Sequence, residues 1–308
     1  AGAVTLLSVV TLAACANGTN KDIVTMKGDT ITVSDFYNEI KTNQGAQQVL
    51  FQMTINKVFE KEYGSKVSDK EVDKELAKQK KQLGNQFDAY LAQQGLTEET
   101  AKKQIRSNML LEYAVNQAAK KDIKESDYKA AFESYTPEVT AQIIKLDSED
   151  KAKEVLEAAK AEGADFAQIA KDNSTDTATK DKGGEVKFDS GTAGIPSQVK
   201  EAAFKLDENG ISDVITVSAG QNYSASYYIV KLNKKTEKGS DWKKYEKRLK
   251  EIIVDGRKQD TNYIRSIIAK AMTNANIKVK DDAFKSTFNQ YLQNIGVETS
   301  DSSSSSKK

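Results

Sequence analysis

Between residues 139 and 232 the hydrophobic period switches repeatedly between that of a strand and that of a helix, and few folds accept that order at this spacing. The run VTAQIIKL at 139–146 is apolar and rich in β-formers, which predicts a strand. Ala152, Val155, Leu156 and Ala159 then share one helical face, closed by Gly163. Phe166, Ile169 and Ala170 mark a second, short helix. Gly183-Gly184 permits a tight backbone ahead of a strand at 185–188. Pro196 stands where a first helical turn tolerates it and opens a helix over 197–204. Segments 211–217 and 227–232 close the stretch as two strands. Strand, two helices, strand, helix and two strands make an α+β module of a size that folds alone.

The flanks read as polar helices. Residues 23–26 and 30–33 surround Lys27-Gly28-Asp29 as a small hairpin with its turn at Gly28. Ser34 can cap a helix through Lys41, and a second helix over 47–63 stops at Gly64, read as its C′ residue. Ser68-Asp69-Lys70-Glu71 is a capping box opening a helix to about Leu83. Further helices are predicted over 85–94, 97–121 and 125–135. After the central stretch, one long helix over 242–275, a short β-like piece at 277–279 and a last helix over 281–295 follow. Hydrophobic residues are only 38% of the chain of 308, which predicts extended helical lobes with shallow cores. Neither flank has enough apolar surface to stand alone. They are therefore expected to form one discontinuous helical lobe into which the central module is inserted.

Composition excludes several chemistries. The 46 basic and 45 acidic residues leave a net charge of +1, so no global field favours nucleic acid as a partner. Histidine is absent and Cys15 is the single cysteine, which removes intrachain disulfides, ordinary zinc sites and Ser-His or Cys-His triads. No metal and no cofactor is expected. A calcium loop at 172–176 is rejected, because Thr177 stands where such a loop needs Gly and Gly183 where it needs Glu.

Residues 1–14 are apolar, too short for a stable span, and end in small residues before Cys15, as a secretory h-region does. With no basic n-region ahead of them, they are expected to be a truncated signal peptide. Leu12-Ala13-Ala14-Cys15 resembles a bacterial lipobox, which implies that Cys15 carries the lipid of a membrane-tethered protein; a plain signal peptide that contains a Cys is the alternative.

The segments GADFAQIAKDNSTD, GGE, KEAAFKL and ISDVI, in this order and spacing, resemble a parvulin-type peptidyl-prolyl isomerase domain. Set between helical flanks behind a lipobox, the whole chain resembles the PrsA-type foldase lipoproteins of Gram-positive bacteria, including its VTMKGDTITVSDFY start. The resemblance implies an α+β fold, a parvulin-like module inserted in a discontinuous, mostly helical chaperone lobe. The corresponding divisions are a signal remnant at 1–14, a lipidated leader at 15–22, an N-terminal helical lobe at 23–137, the parvulin-like domain at 138–235, a C-terminal helical part at 236–295 packing on the N-terminal lobe, and a disordered Ser-rich tail at 296–308.

Rotation about a peptide bond faces a barrier of about 18–20 kcal/mol, and X-Pro bonds isomerise over tens of seconds or more without a catalyst. A catalyst must grip the proline ring in an apolar pocket and offer polar groups to the twisted amide. The pocket positions of the resembled family fall on Val186, Ile195 and Val199, with Phe204 just beyond. Val199 replaces an aromatic ring and so weakens the grip on proline. All four residues could equally be core. On the polar side Asp176 matches a family Cys or Asp, and an ordinary loop or capping carboxylate is the other reading. The two family histidine positions fall on Ile143 and Tyr228, and Lys187-Phe188-Asp189 replaces a Gly-Trp-Phe. Tyr228 can still donate a hydrogen bond; Ile143 cannot.

The resemblance implies a foldase at the outer face of the cell membrane, with unfolded or newly translocated secreted proteins as partners, the membrane reached through Cys15, and a homodimer. Two mechanisms stand side by side: X-Pro isomerisation by the parvulin module, or a non-catalytic holdase on a degenerate parvulin scaffold. A lipoprotein adhesin or ligand-binding protein is a third reading.

Overall fold

The computed structural model describes residues 21–218 and 225–292. The lipobox with Cys15, the signal remnant at 1–14 and the Ser-rich 296–308 lie outside the described residues. The chain forms two compact units, one from the described parts of Ala1–Ala118 and Lys258–Lys308, the other from Ala119–Arg257. The helical unit is thus discontinuous in sequence, with the α+β unit inserted.

The helical unit opens on strands β1 (Asp22–Met26) and β2 (Asp29–Thr32), paired antiparallel so that Met26 faces Asp29. Gly28, at φ +90°, supplies the left-handed turn between them. Helix α1 (Val33–Ile40) starts two residues earlier than the sequence suggests. Thr32, not Ser34, is its N-cap, because Thr32 and Asp35 complete a reciprocal capping box. Helix α2 (Gln44–Tyr63) is capped by Asn43. Gly64 is right-handed at φ −53° and leads into a 3-10 turn over Gly64–Lys66, so it is not the expected left-handed C′ residue. Helix α3 (Asp69–Leu83) begins at the Ser68–Glu71 box. Helices α4 (Phe87–Gln93) and α5 (Glu98–Lys121) follow.

The single long helix expected over 242–275 is three pieces: a 3-10 turn at Trp242–Tyr245 and α10 (Glu246–Gln259), which fall in the inserted unit as far as Arg257, and α11 (Thr261–Asn274) in the helical unit. The break is at Asp260, whose carboxylate accepts the N–H groups of Asn262 and Tyr263 and so starts a new helix. Residues 277–279 join no sheet, and the last helix is a 3-10 turn at Asp282–Phe284 with α12 (Lys285–Leu292). Phe59, Leu110, Met272 and Phe288 anchor the core of this unit, each at most 2% exposed. No helix among the described residues is long and apolar enough to cross a membrane.

The inserted unit contains α6 (Glu125–Ser134), β3 (Val139–Leu146), α7 (Glu149–Lys160), α8 (Phe166–Asn173), β4 (Glu185–Phe188), α9 (Ser197–Lys205), β5 (Ile215–Ser218) and β6 (Ala225–Lys235). Its four-stranded sheet runs β4-β3-β6-β5, antiparallel throughout. β5 is shorter than the strand expected at 211–217, since Ile211 forms only an isolated bridge to Lys231. Both faces of the sheet are covered, which is why β3 and β6 are apolar on both sides. Ile144, Leu146 and Ile229 pack under α7 and α8. Ala141, Ile143, Val230 and Leu232 pack on the opposite face with Val199 and Ala203 of α9. The 3-10 turn at 242–245 is held to α6 by ring stacking, Tyr128 on Trp242 at 5.0 Å and Phe132 on Tyr245 at 5.8 Å.

Candidate functional site

The α9 face of the sheet gathers six of the seven sequence-predicted residues that lie within the described chain. Ile143, Val186, Ile195, Val199, Phe204 and Tyr228 share its apolar cluster. Asp176 stands apart, in the turn after α8. The register explains the grouping. Val186 pairs with Ala141 across β3–β4, and Ile143 with Val230 across β3–β6. Tyr228 precedes Val230 by two residues, so it lies on the same side of β6 and diagonally next to Ile143. On its other flank Tyr228 faces Ile215 of β5.

The cluster is layered. Val199 is fully covered and Ile143 is buried, so both support the face from beneath. Val186, Ile195, Phe204 and Tyr228 are half-buried and form the part that a ligand can reach. Phe204 leans on the buried Phe188, with ring centroids 5.7 Å apart. The Tyr228 hydroxyl takes no hydrogen bond among the described residues, which leaves it as a free polar group beside an apolar surface. An apolar patch with one free hydroxyl can hold a proline ring and offer one hydrogen bond to a neighbouring carbonyl.

The double glycine shapes the approach to this face. Gly183 and Gly184 have φ of +67° and +78°. A Cβ on Gly184 would stand 2.5 Å from the Ile143 carbonyl oxygen, and one on Gly183 2.7 Å from the Ala167 Cβ. Only glycine lets the chain pass so close to β3, where the Ile143 N–H donates to the Gly184 carbonyl at 2.9 Å.

Asp176 is tied to the same strand. Buried Ser174 accepts the Lys145 N–H at 3.1 Å and the Asp176 N–H at 3.3 Å, and the Thr175 N–H donates to the Lys145 carbonyl at 2.8 Å. The Asp176 carboxylate accepts from the Ala178 N–H at 3.1 Å and the Thr179 hydroxyl at 2.6 Å. Both bonds lie within its own turn, the geometry of a turn-capping carboxylate.

A second constellation escaped the sequence. Asp189, 6% exposed, receives a bidentate Arg248 guanidinium at 2.6 and 2.8 Å, the Tyr135 hydroxyl at 3.2 Å, the Thr192 hydroxyl at 2.9 Å and the Gly191 N–H at 3.0 Å. Burial would raise the Asp189 carboxyl, but the Arg248 and Thr192 hydrogen bonds and the Arg248 charge outweigh it and hold the pKa below the ordinary carboxylate value. Burial and the neighbouring Asp189 charge push the Tyr135 hydroxyl well up, so it remains a donor. Lys200 of α9 donates to the Ser190 and Thr192 carbonyls, each at 2.9 Å. The loop 189–192, which leads to Ile195, is thereby fastened to both α9 and α10. No local motif announces such a pair, because Asp189 and Arg248 are 59 residues apart. Among the described residues no group of His, Cys, Asp and Glu could hold a metal ion.

The helical unit carries an apolar groove of about 700 Å³, lined among others by Ile40, Val49, Leu50, Met53, Phe284 and Phe288. Val49 and Met53 are 60% and 51% exposed, unusual for large apolar side chains that sit side by side.

Comparison with known proteins places these features. The family profile described as Rotamase, PPIC-type PPIASE domain, matches residues 134–234. The chain is 62% identical to a foldase protein PrsA of Streptococcus sanguinis over 296 residues, 96% of this chain and 88% of that one. It is 60% identical to a foldase protein PrsA of Streptococcus gordonii over 100% of this chain and 98% of that one. Among solved structures, foldase protein PrsA of Streptococcus pneumoniae is similar with a TM-score of 0.80 at 55% identity, covering 88% of this chain and 99% of that chain. The foldase protein PrsA of Lactococcus lactis gives 0.67 at 39% identity, with coverage of 88% and 99%.

Proposed function

The chain belongs to the PrsA foldase family, and on that premise we propose that it assists secreted proteins after translocation, tethered to the outer face of the cell membrane by a lipidated Cys15. Its partners are proteins in the course of folding. Residues 138–235 act as the parvulin-like domain, and 23–137 with 236–295 as the chaperone lobe, which pairs with a second copy as the family resemblance implies. In the parvulin-like domain, Val186, Ile195 and Phe204 over Val199 hold proline-containing segments, and Tyr228 supplies a hydrogen bond. Catalysis of X-Pro rotation there is slow. Ile143 has no polar group to offer the twisted amide, and Asp176 spends its carboxylate on its own turn.

The observation that carries this reading is the pairing of a reduced isomerase face with an apolar groove in the helical unit. Exposed Val49 and Met53 favour the holdase as the dominant activity. The test measures isomerisation of a short X-Pro peptide and aggregation of an unfolded client side by side, on the purified soluble protein. The expected result is suppressed aggregation with slow isomerisation. Fast isomerisation lost in Asp176→Ala would overturn the reduced-catalysis reading. No effect on either would return the chain to the adhesin or ligand-binding class.

A further inference from the structure

The groove of the helical unit has one side that is neither helix nor sheet. Helix α11 ends in a Schellman arrangement: Asn276, left-handed at φ +52°, donates to the Thr273 carbonyl at 2.9 Å, and Ile277 to the Met272 carbonyl at 3.2 Å. This turn delivers residues 277–280 along the groove. Ile277 and Val279 are half-buried against the core of the unit, while Lys278 and Lys280 are exposed. That alternation is the period of an extended strand. Yet the segment pairs with nothing. Among the described residues, no hydrogen bond is made by the main-chain groups of Lys278, Val279 or Lys280, although all three line the groove.

We propose that this edge and groove together bind an extended, apolar, acid-flanked segment of an unfolded client, added as a strand against 278–280. The proposal rests on the holdase reading above and names what that activity recognises. Main-chain pairing gives affinity that does not depend on sequence, as a chaperone of many clients needs. Alternate side chains of the added strand enter the groove between Met53 and Phe288. The rim sets the charge preference. Lys278 and Lys280 stand on the edge, and the Lys41 ammonium lies 5.7 Å from the ring of Tyr37, which lines the groove. The rim carboxylate Asp281 is already engaged, accepting the Tyr37 hydroxyl at 2.8 Å and the Ala283 N–H at 2.9 Å. A second copy of the chain fits less well on this edge, because two-fold pairing would set lysines against lysines.

The experiment uses the full chain and a dye-labelled peptide that alternates valine and threonine between glutamate ends, read by fluorescence anisotropy. Met53 is half exposed, so Met53→Asp leaves the core intact, which circular dichroism checks. The expected results are an affinity loss of about tenfold or more in Met53→Asp, and a similar loss when alternate peptide nitrogens are methylated. Lysine ends in place of glutamate weaken binding several-fold, as does Lys278→Glu. Lys171→Ala, on the exposed surface of α8 in the other unit, changes nothing. Undiminished binding of the methylated peptide would overturn the strand addition. Binding insensitive to Met53→Asp, or seen only after deletion of 296–308, would overturn the groove as the client site. If Met53→Asp still suppresses aggregation fully, this inference fails while the holdase reading stands; a wild-type chain that neither binds nor suppresses ends both. A change in sedimentation rather than in peptide affinity in Met53→Asp would assign the edge to a second copy and overturn the client.

Discussion

At Asp189 a single carboxylate is taken out of water and compensated by five donor contacts from four residues. Arg248→Gln removes the one cationic partner of Asp189 among the described residues and leaves the carboxylate buried. A buried pair broken on one side costs about 3–5 kcal/mol, and since the guanidinium is one-third exposed we expect about 2–4 kcal/mol, read as a lower urea midpoint. The pH dependence has a definite sign. The folded pKa of Asp189 lies below its ordinary 3.8, so the contribution is complete above that value and is lost as pH falls through the folded pKa. Urea midpoints measured at descending pH should therefore fall less steeply in Asp189→Asn than in the wild type. Gly184→Ala places a Cβ 2.5 Å from the Ile143 carbonyl oxygen at a left-handed φ, and a loss of at least ~2 kcal/mol in thermal unfolding is expected. The glycine pair was legible in the sequence as a tight backbone, since the reason for it is local. The Asp189–Arg248 pair was not, since its partners meet only when β4 and α10 are packed.

Some element ends set by neighbouring residues were readable, and others set just as locally, at Thr32 and Asp260, were not. The Ser68–Glu71 box and the Gly28 turn stand where their side chains and φ require. Asp260 shows the limit. The apolar stripe of Ile252 and Ile253 continues into Tyr263 and Ile264, so periodicity reads one helix, while the Asp260 cap divides it. Asp260→Ala should cost about 1 kcal/mol of stability, with no loss of helical signal at 222 nm if the two helices then fuse. The candidate site was named as a set of residues by the family resemblance, and period two explains why Val186, Ile143 and Tyr228 then share one face. Its layering was not legible, because whether Val199 lies under the face or in it depends on how α9 is seated.

For the whole molecule, two units with separate cores predict two unfolding events. Calorimetry of the full chain should resolve two transitions, with Arg248→Gln lowering one and leaving the other in place; a single transition moved as a block would contradict this. With Cys15 as the proposed lipidation site, Cys15→Ser in the exported protein should shift it from the membrane fraction to the medium; retention in the membrane fraction would contradict the proposal. On the proposed function, assistance comes mainly from holding unfolded chains and only secondarily from turning prolyl bonds. The most direct measurement is the refolding yield of one client and of its proline-free variant, each with and without the purified protein. Both yields are expected to rise to a similar degree. A rise confined to the proline-containing client would contradict it.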